Sequence, residues 1–224
     1  MIKNLLGRFR WILLIALGVL VAAGIIITFT INRSMLPGFQ QQLSNVSSGV
    51  DSENVRNNIE QDDIDRTVSD EVIRAFIAAE IPVLGEAADI LNFTLPMLDD
   101  EDFTLSDLRG NVVFLHFWTT WCVVCRVNMP FVEALYQRFK NSGLEIIAVN
   151  LGEPRAVAAL YISENELNFP VALDTRNEIG SIYTRSIPTV YIINRRGLIV
   201  ARQTGFFNWD TPEVTAAFEI LLAE

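Results

Sequence analysis

The feature that most restricts this chain is the stretch from Val112 to Pro130, VVFLHFWTTWCVVCRVNMP. Val112 to Trp118 is an apolar run, rich in β-branched and aromatic residues, with the length of a buried strand. A short polar turn follows, then Trp121-Cys122-Val123-Val124-Cys125. Phe131, Leu135 and Phe139 recur after it at helical spacing. The two cysteines therefore stand where a strand ends and a helix begins. Residues three apart on a helix are neighbours, so the two sulfurs are within reach of each other. A sulfur at the start of a helix meets unpaired backbone N–H groups, which favour an anion. Such a site supports a thiolate, which makes Cys122 the expected nucleophile and Cys125 the resolving thiol.

A C-x-x-C pair has two other readings. It is half of many zinc sites, but the chain holds only two cysteines and one histidine, His116. A zinc site here would need carboxylates as its remaining ligands, an uncommon choice. A purely structural disulfide would close so short a loop that its entropic stabilisation is small. The strand–CxxC–helix setting favours redox chemistry over both. No metal and no separate cofactor are expected, since the Cys122–Cys125 disulfide itself carries the electrons.

The chain resembles the thioredoxin superfamily, and within it the membrane-anchored TlpA/ResA-like thiol–disulfide oxidoreductases. The resemblance rests on FTL followed by LSDLRGNVVFLHFWTTWCVVC, on Met129-Pro130, on Ile146-Ile147-Ala148-Val149-Asn150 and on Ser186-Ile187-Pro188-Thr189. It covers about Leu84 to the C-terminus. It implies an α/β, thioredoxin-like fold: a mixed central sheet flanked by helices, with an N-terminal β-hairpin extension.

The resemblance also assigns residues around the pair. Pro188 lies between Ile187 and the run Thr189-Val190-Tyr191. A proline belongs at the start of a strand rather than within it. By resemblance it is the cis-proline that sits against the CxxC, and Ile187 presents backbone groups to a substrate. The alternative is a trans proline that merely opens a strand. Trp121 is expected to shield the disulfide and offer apolar contact, and Trp118 to be core. His116, six residues before Cys122, matches the buried acidic residue of thioredoxin. Its expected role is a proton relay to Cys125, because imidazole titrates near neutral pH. The alternative is a hydrogen-bonded core histidine. Two departures stand out. Val123-Val124 replaces a dipeptide that often ends in proline, and Asn128 stands where ResA-like relatives often carry glutamate. Asparagine does not titrate. Glu153 is then the nearby candidate carboxylate, unless it is simply a charge in the first turn of a helix.

Ahead of the expected domain, Trp11 to Ile31 is an unbroken apolar run without charge. As a helix it spans about 31 Å, the thickness of a bilayer core. Lys3, Arg8 and Arg10 precede it and only Arg33 follows closely. The positive-inside rule puts residues 1–10 in the cytoplasm and everything after residue 31 outside. A cleaved signal peptide ending near Ala22-Ala23-Gly24 is the alternative, but the apolar run continues too far beyond it. Residues 32–83 form a polar tether, with an amphipathic helix expected near 69–80. That helix packs on the domain, on a partner or on a second copy. Residues 84–224 are the thioredoxin-like domain.

The formal net charge is −10, and the three basic residues before the apolar run leave 14 basic against 27 acidic residues beyond it. That balance argues against nucleic acid and against docking on anionic lipid. An outer compartment also suits a CxxC that cycles against disulfides, which persist there.

Within the domain, Phe93-Thr94-Leu95 and Phe103-Thr104-Leu105 flank an acidic turn and read as a hairpin. Strands are expected at 112–118, 144–150, 171–173, 189–194 and 198–203. Helices are expected at about 123–140, 154–167 and 178–183, with a last one capped by Asp210 or Thr211. The expected function is a membrane-tethered extracytoplasmic thiol–disulfide oxidoreductase of a bacterial cell. The resemblance implies a reductant of protein disulfides, for example in cytochrome c or metal-site maturation. Its partners would be protein disulfide substrates and a membrane electron donor. The rivals are a thioredoxin-fold binding or metal-delivery module and a thiol peroxidase. The C-x-x-C spacing argues against the copper proteins with C-x-x-x-C, and Leu115 stands where a peroxidase motif needs proline.

Overall fold

The computed structural model describes residues 66–224. The expected membrane segment 11–31, the cytoplasmic residues before it and most of the tether lie outside the described residues. In order, the elements are α1 (Asp70–Ala78), β1 (Val83–Asp89), β2 (Thr94–Pro96), β3 (Asp102–Thr104), a 3-10 turn (Leu105–Leu108), β4 (Val112–Trp118), α2 (Val123–Phe139), β5 (Leu144–Leu151), α3 (Arg155–Glu164), β6 (Val171–Asp174), α4 (Glu178–Tyr183), β7 (Thr189–Ile193), β8 (Leu198–Thr204) and α5 (Pro212–Ala223).

Six strands form one mixed sheet in the order β1-β8-β7-β4-β5-β6. β4 pairs parallel with β5 and β5 with β6, whereas β4–β7, β7–β8 and β8–β1 are antiparallel. Every residue of β4 is buried, which a continuous apolar run requires of a strand covered on both faces. Its side chains alternate. Val112, Phe114 and Trp118 join a core with Phe76 of α1, Val132 of α2 and Phe218 of α5. Val113, Leu115 and Phe117 join a second core with Phe93, Leu95 and Phe103 of the β2–β3 hairpin. The hairpin is thus the lid of the second core, and Phe93 and Phe103 meet edge to face at 5.9 Å.

Helix starts follow local chemistry. Ser69 Oγ accepts from Val72 N at 3.2 Å, and Thr211 Oγ1 accepts from Val214 N at 3.2 Å with Pro212 in the first turn. Two features differ from the sequence reading. β1 is an edge strand on β8, although Val83–Asp89 contains Gly85 and two alanines, a poor β-former; backbone pairing supplies what propensity does not. The expected helix near 69–80 is α1, and it belongs to the folded body: Val72 and Phe76 are buried, and Phe76 meets Phe218 at 6.2 Å. The body therefore begins before residue 84.

Candidate active site

β4 delivers the chain to the top of the sheet, Thr119 and Thr120 turn it, and α2 starts at Val123. Cys122 and Cys125 are joined as a disulfide, their Cα atoms 5.2 Å apart. Cys122 is the N-cap residue of α2, and its Sγ accepts from Cys125 N at 3.1 Å. That sulfur lies at the positive end of a helix of more than four turns. Cys122 keeps 7% of its surface exposed and Cys125 none, so only Cys122 shows any surface to an incoming partner. Trp121 is 70% exposed, Val123 and Val124 also reach solvent, and Trp118 is buried as expected.

The turn before Cys122 is held by a buried carboxylate. Glu153 follows β5, and it accepts from Thr120 N at 2.8 Å, from Thr120 Oγ1 at 2.6 Å and from Asn150 Nδ2 at 2.7 Å. Its three donors place it as an anchor for the Thr120 backbone, which neither sequence reading of Glu153 had foreseen. Thr120 was missed, because a contact across 33 residues leaves no local signal, and Asn150 was legible only as part of a motif, without its role as a donor to Glu153.

His116 lies on the face of β4 that carries Phe114 and Trp118, towards α2, and its ring meets Phe114 at 6.3 Å. It is fully buried, and neither ring nitrogen has a hydrogen-bond partner among the described residues. Burial pushes its pKa from 6.5 down to about 3. Both sequence readings are corrected by this. The imidazole does not titrate near neutrality, because the core offers its cation no partner, and it is not a hydrogen-bonded core histidine.

Asn128, one turn beyond Cys125, is buried, and both the nitrogen and the oxygen of its amide are hydrogen-bonded. Its Nδ2 donates to Gly205 O at 3.1 Å and its Oδ1 accepts from Phe207 N at 3.2 Å. Gly205, at φ +86°, donates its own N–H to Pro188 O at 2.9 Å. The helix carrying the cysteines is thereby tied to the loop that carries Pro188. The Ile187–Pro188 bond is cis, as the resemblance implied, and Pro188 is buried at the entry to β7. Thr189 Oγ1 donates to Ser186 O at 2.7 Å and fixes the residues before it. Ile187 is half-buried and lines a surface groove with Trp121, Thr119, Gly152 and Arg185. The structure thus brings Trp121 and Ile187 to one opening. Arg126, beside Cys125 in sequence, is exposed and hydrogen-bonded to the Tyr161 hydroxyl, whose pKa burial raises.

Residues 86–202 match the model of the AhpC/TSA family, just over half of the chain. The thiol–disulfide oxidoreductase ResA of Bacillus subtilis is 39% identical over 123 residues, covering 54% of this chain and 69% of that protein. ResA of Halalkalibacterium halodurans is 41% identical over 122 residues, covering 54% and 68%. Among solved structures, a putative thiol:disulfide interchange protein DsbE from Chlorobium tepidum superposes with a TM-score of 0.56 at 28% identity, over 61% of this chain and 96% of its own. A putative protein disulfide isomerase from Bacteroides thetaiotaomicron gives 0.55 at 27% identity, over 64% and 94%. A disulfide capping a helix at the end of a central strand, a cis-proline loop tied to that helix, and these likenesses agree: the chain belongs to the AhpC/TSA family and is a ResA-like thiol–disulfide oxidoreductase of the thioredoxin superfamily.

Proposed function

We propose that this oxidoreductase is a membrane-tethered, extracytoplasmic reductant of protein disulfides, working through Cys122 and Cys125. The observation that carries the assignment of roles is the N-cap position of Cys122, with the Cys125 N–H aimed at its sulfur. In the reduced protein the Cys122 thiolate attacks one sulfur of a substrate disulfide. A bond from Cys122 to that sulfur forms, the substrate's own S–S bond breaks, and the other substrate sulfur leaves as a thiolate that takes up a proton. Cys125 gives up its proton and attacks Cys122 Sγ, releasing the second substrate thiol and leaving the Cys122–Cys125 disulfide. The substrate gains two electrons and two protons. A membrane-borne donor returns two electrons to the pair, and no metal or separate cofactor takes part. Ile187 and Pro188 flank the bound segment, Trp121 covers it, and Glu153 holds the turn from which Cys122 acts.

Exchanging Cys125 for Ala removes the resolving thiol. Cys125→Ala is expected to accumulate mixed disulfides through Cys122, and Cys122→Ala to accumulate few, on non-reducing gels of the whole cell. Equal accumulation in both would remove the assignment. Placement rests on the charge asymmetry about residues 11–31. A reporter that works only outside the cytoplasm, fused after Glu224, is expected to be active; a silent reporter would overturn the orientation. Apocytochrome c and metal-site proteins are the substrate classes suggested by the resemblance to ResA.

A further inference from the structure

Trp121, Val123, Val124, Val127 and Phe206 are half of the exposed large apolar side chains among the described residues. They do not scatter. Val124, Val127 and Phe131 stand at helical spacing along one stripe of α2, which runs back from the cysteine pair. Phe206 extends that stripe from another element, since its ring meets Phe131 edge to face at 6.2 Å while 55% of its surface stays exposed. An exposed phenylalanine beside exposed valines is costly on a soluble surface unless something covers it.

The loop that presents Phe206 is held with care. Asn128 grips the residue on either side of it, Gly205 by its carbonyl and Phe207 by its N–H. The buried amide uses a donor and an acceptor together, so neither an apolar side chain nor a carboxylate of similar size could make both bonds. Gly205 is also bound to Pro188 O. Phe206 is thus fixed relative to both the cysteine helix and the cis-proline loop.

Resting on the dithiol reading above, we infer that Phe206, positioned by Asn128, is a specificity residue that extends the redox site into an apolar platform for polypeptide disulfides with bulky apolar residues next to the cysteine. The reasoning is one of continuity. A protein disulfide must bring its sulfur to Cys122, so the residues beside that sulfur come to lie over the residues beside Cys122. Those are chiefly Trp121, Val123 and Val124, all exposed, with the cations Arg126 and Arg185 at the margins. Uncharged polar flanks such as Ser and Asn would lose water over these apolar side chains without gaining a partner.

The test compares three disulfides reduced by the full chain in its reduced form: oxidised glutathione, a disulfide-linked peptide with Leu and Phe flanking its cysteine, and the same peptide with Ser and Asn instead. The apolar peptide is expected to react about tenfold faster than the polar one. Phe206→Ser, a change at an exposed position, is expected to reduce that ratio to about twofold or less. Asn128→Ala is expected to do the same, with urea unfolding showing that it remains folded. Equal rates for the two peptides in the unsubstituted protein would overturn the inference, as would a ratio that Phe206→Ser leaves unchanged. Failure to reduce any of the three, glutathione included, would overturn the dithiol reading and the platform with it.

Discussion

At position 116 the core accommodates only a neutral imidazole, since both ring nitrogens are buried and no described residue offers them a partner. The thermodynamic consequence has a definite sign. The unfolded chain takes up a proton near pH 6.5, and the folded chain not until about 3. Between those values the unfolded state holds more protons, so stability falls as pH falls, by at most about 1.4 kcal/mol per pH unit. Above pH 6.5 the effect is absent. His116→Leu removes it, so the stability difference between the protein and this variant, from urea unfolding, should be flat from pH 8 to 7 and shift against the unsubstituted protein from pH 6 to 4. A difference that does not change with pH would mean that the histidine is hydrated or paired. That His116 is buried was legible in an apolar run; that it lacks a partner was not, because its surroundings come from strands far away in sequence. Glu153 shows the same limit. Its proximity to the site could be guessed, but its grip on Thr120 is set by the register of β4 and β5. Asn128 was legible only as a neutral residue near the pair, and its clamp on residues 205–207 needed the fold.

Elements with strong local signals were read closely. The strand 112–118, the helix 178–183 and the hairpin about the acidic turn fall where periodicity and turn residues put them. The last helix begins behind Thr211, one of two expected caps. β1 was not separated from the hairpin, because its residues alternate weakly and its stability comes from pairing with β8. α1 was legible as an amphipathic helix, yet nothing local says what an apolar stripe packs against. In the folded body that stripe is met by α5. Phe76 is fully buried against Phe218, so Phe76→Ala is expected to cost about 3–5 kcal/mol and to lower the whole unfolding transition rather than a local one. Urea unfolding followed by tryptophan fluorescence measures it. A loss well under 1 kcal/mol would mean that α1 is an appendage.

Across the molecule, two cores clamp β4 from both faces, and the sheet holds the disulfide turn, the Glu153 anchor and the cis-proline loop at one end. The direction of electron flow follows from what surrounds the thiolate. It has the start of α2 and one aligned N–H, an effect of about 0.3–1 kcal/mol. Val123 and Val124 offer no donor, His116 is neutral, the Asn128 amide is engaged with Gly205 and Phe207, and Arg126 is exposed and bound to Tyr161. Moving a pair from thioredoxin's roughly −270 mV to DsbA's roughly −120 mV takes about 7 kcal/mol of extra stabilisation of the reduced form. The site supplies a small part of that. The central claim, that this pair donates electrons to protein disulfides, is therefore tested most directly by its reduction potential, measured by equilibration with glutathione buffers. We expect a value nearer about −270 mV; one above about −180 mV, the region of protein disulfide isomerase, would contradict a reductant and make the pair an oxidase or isomerase.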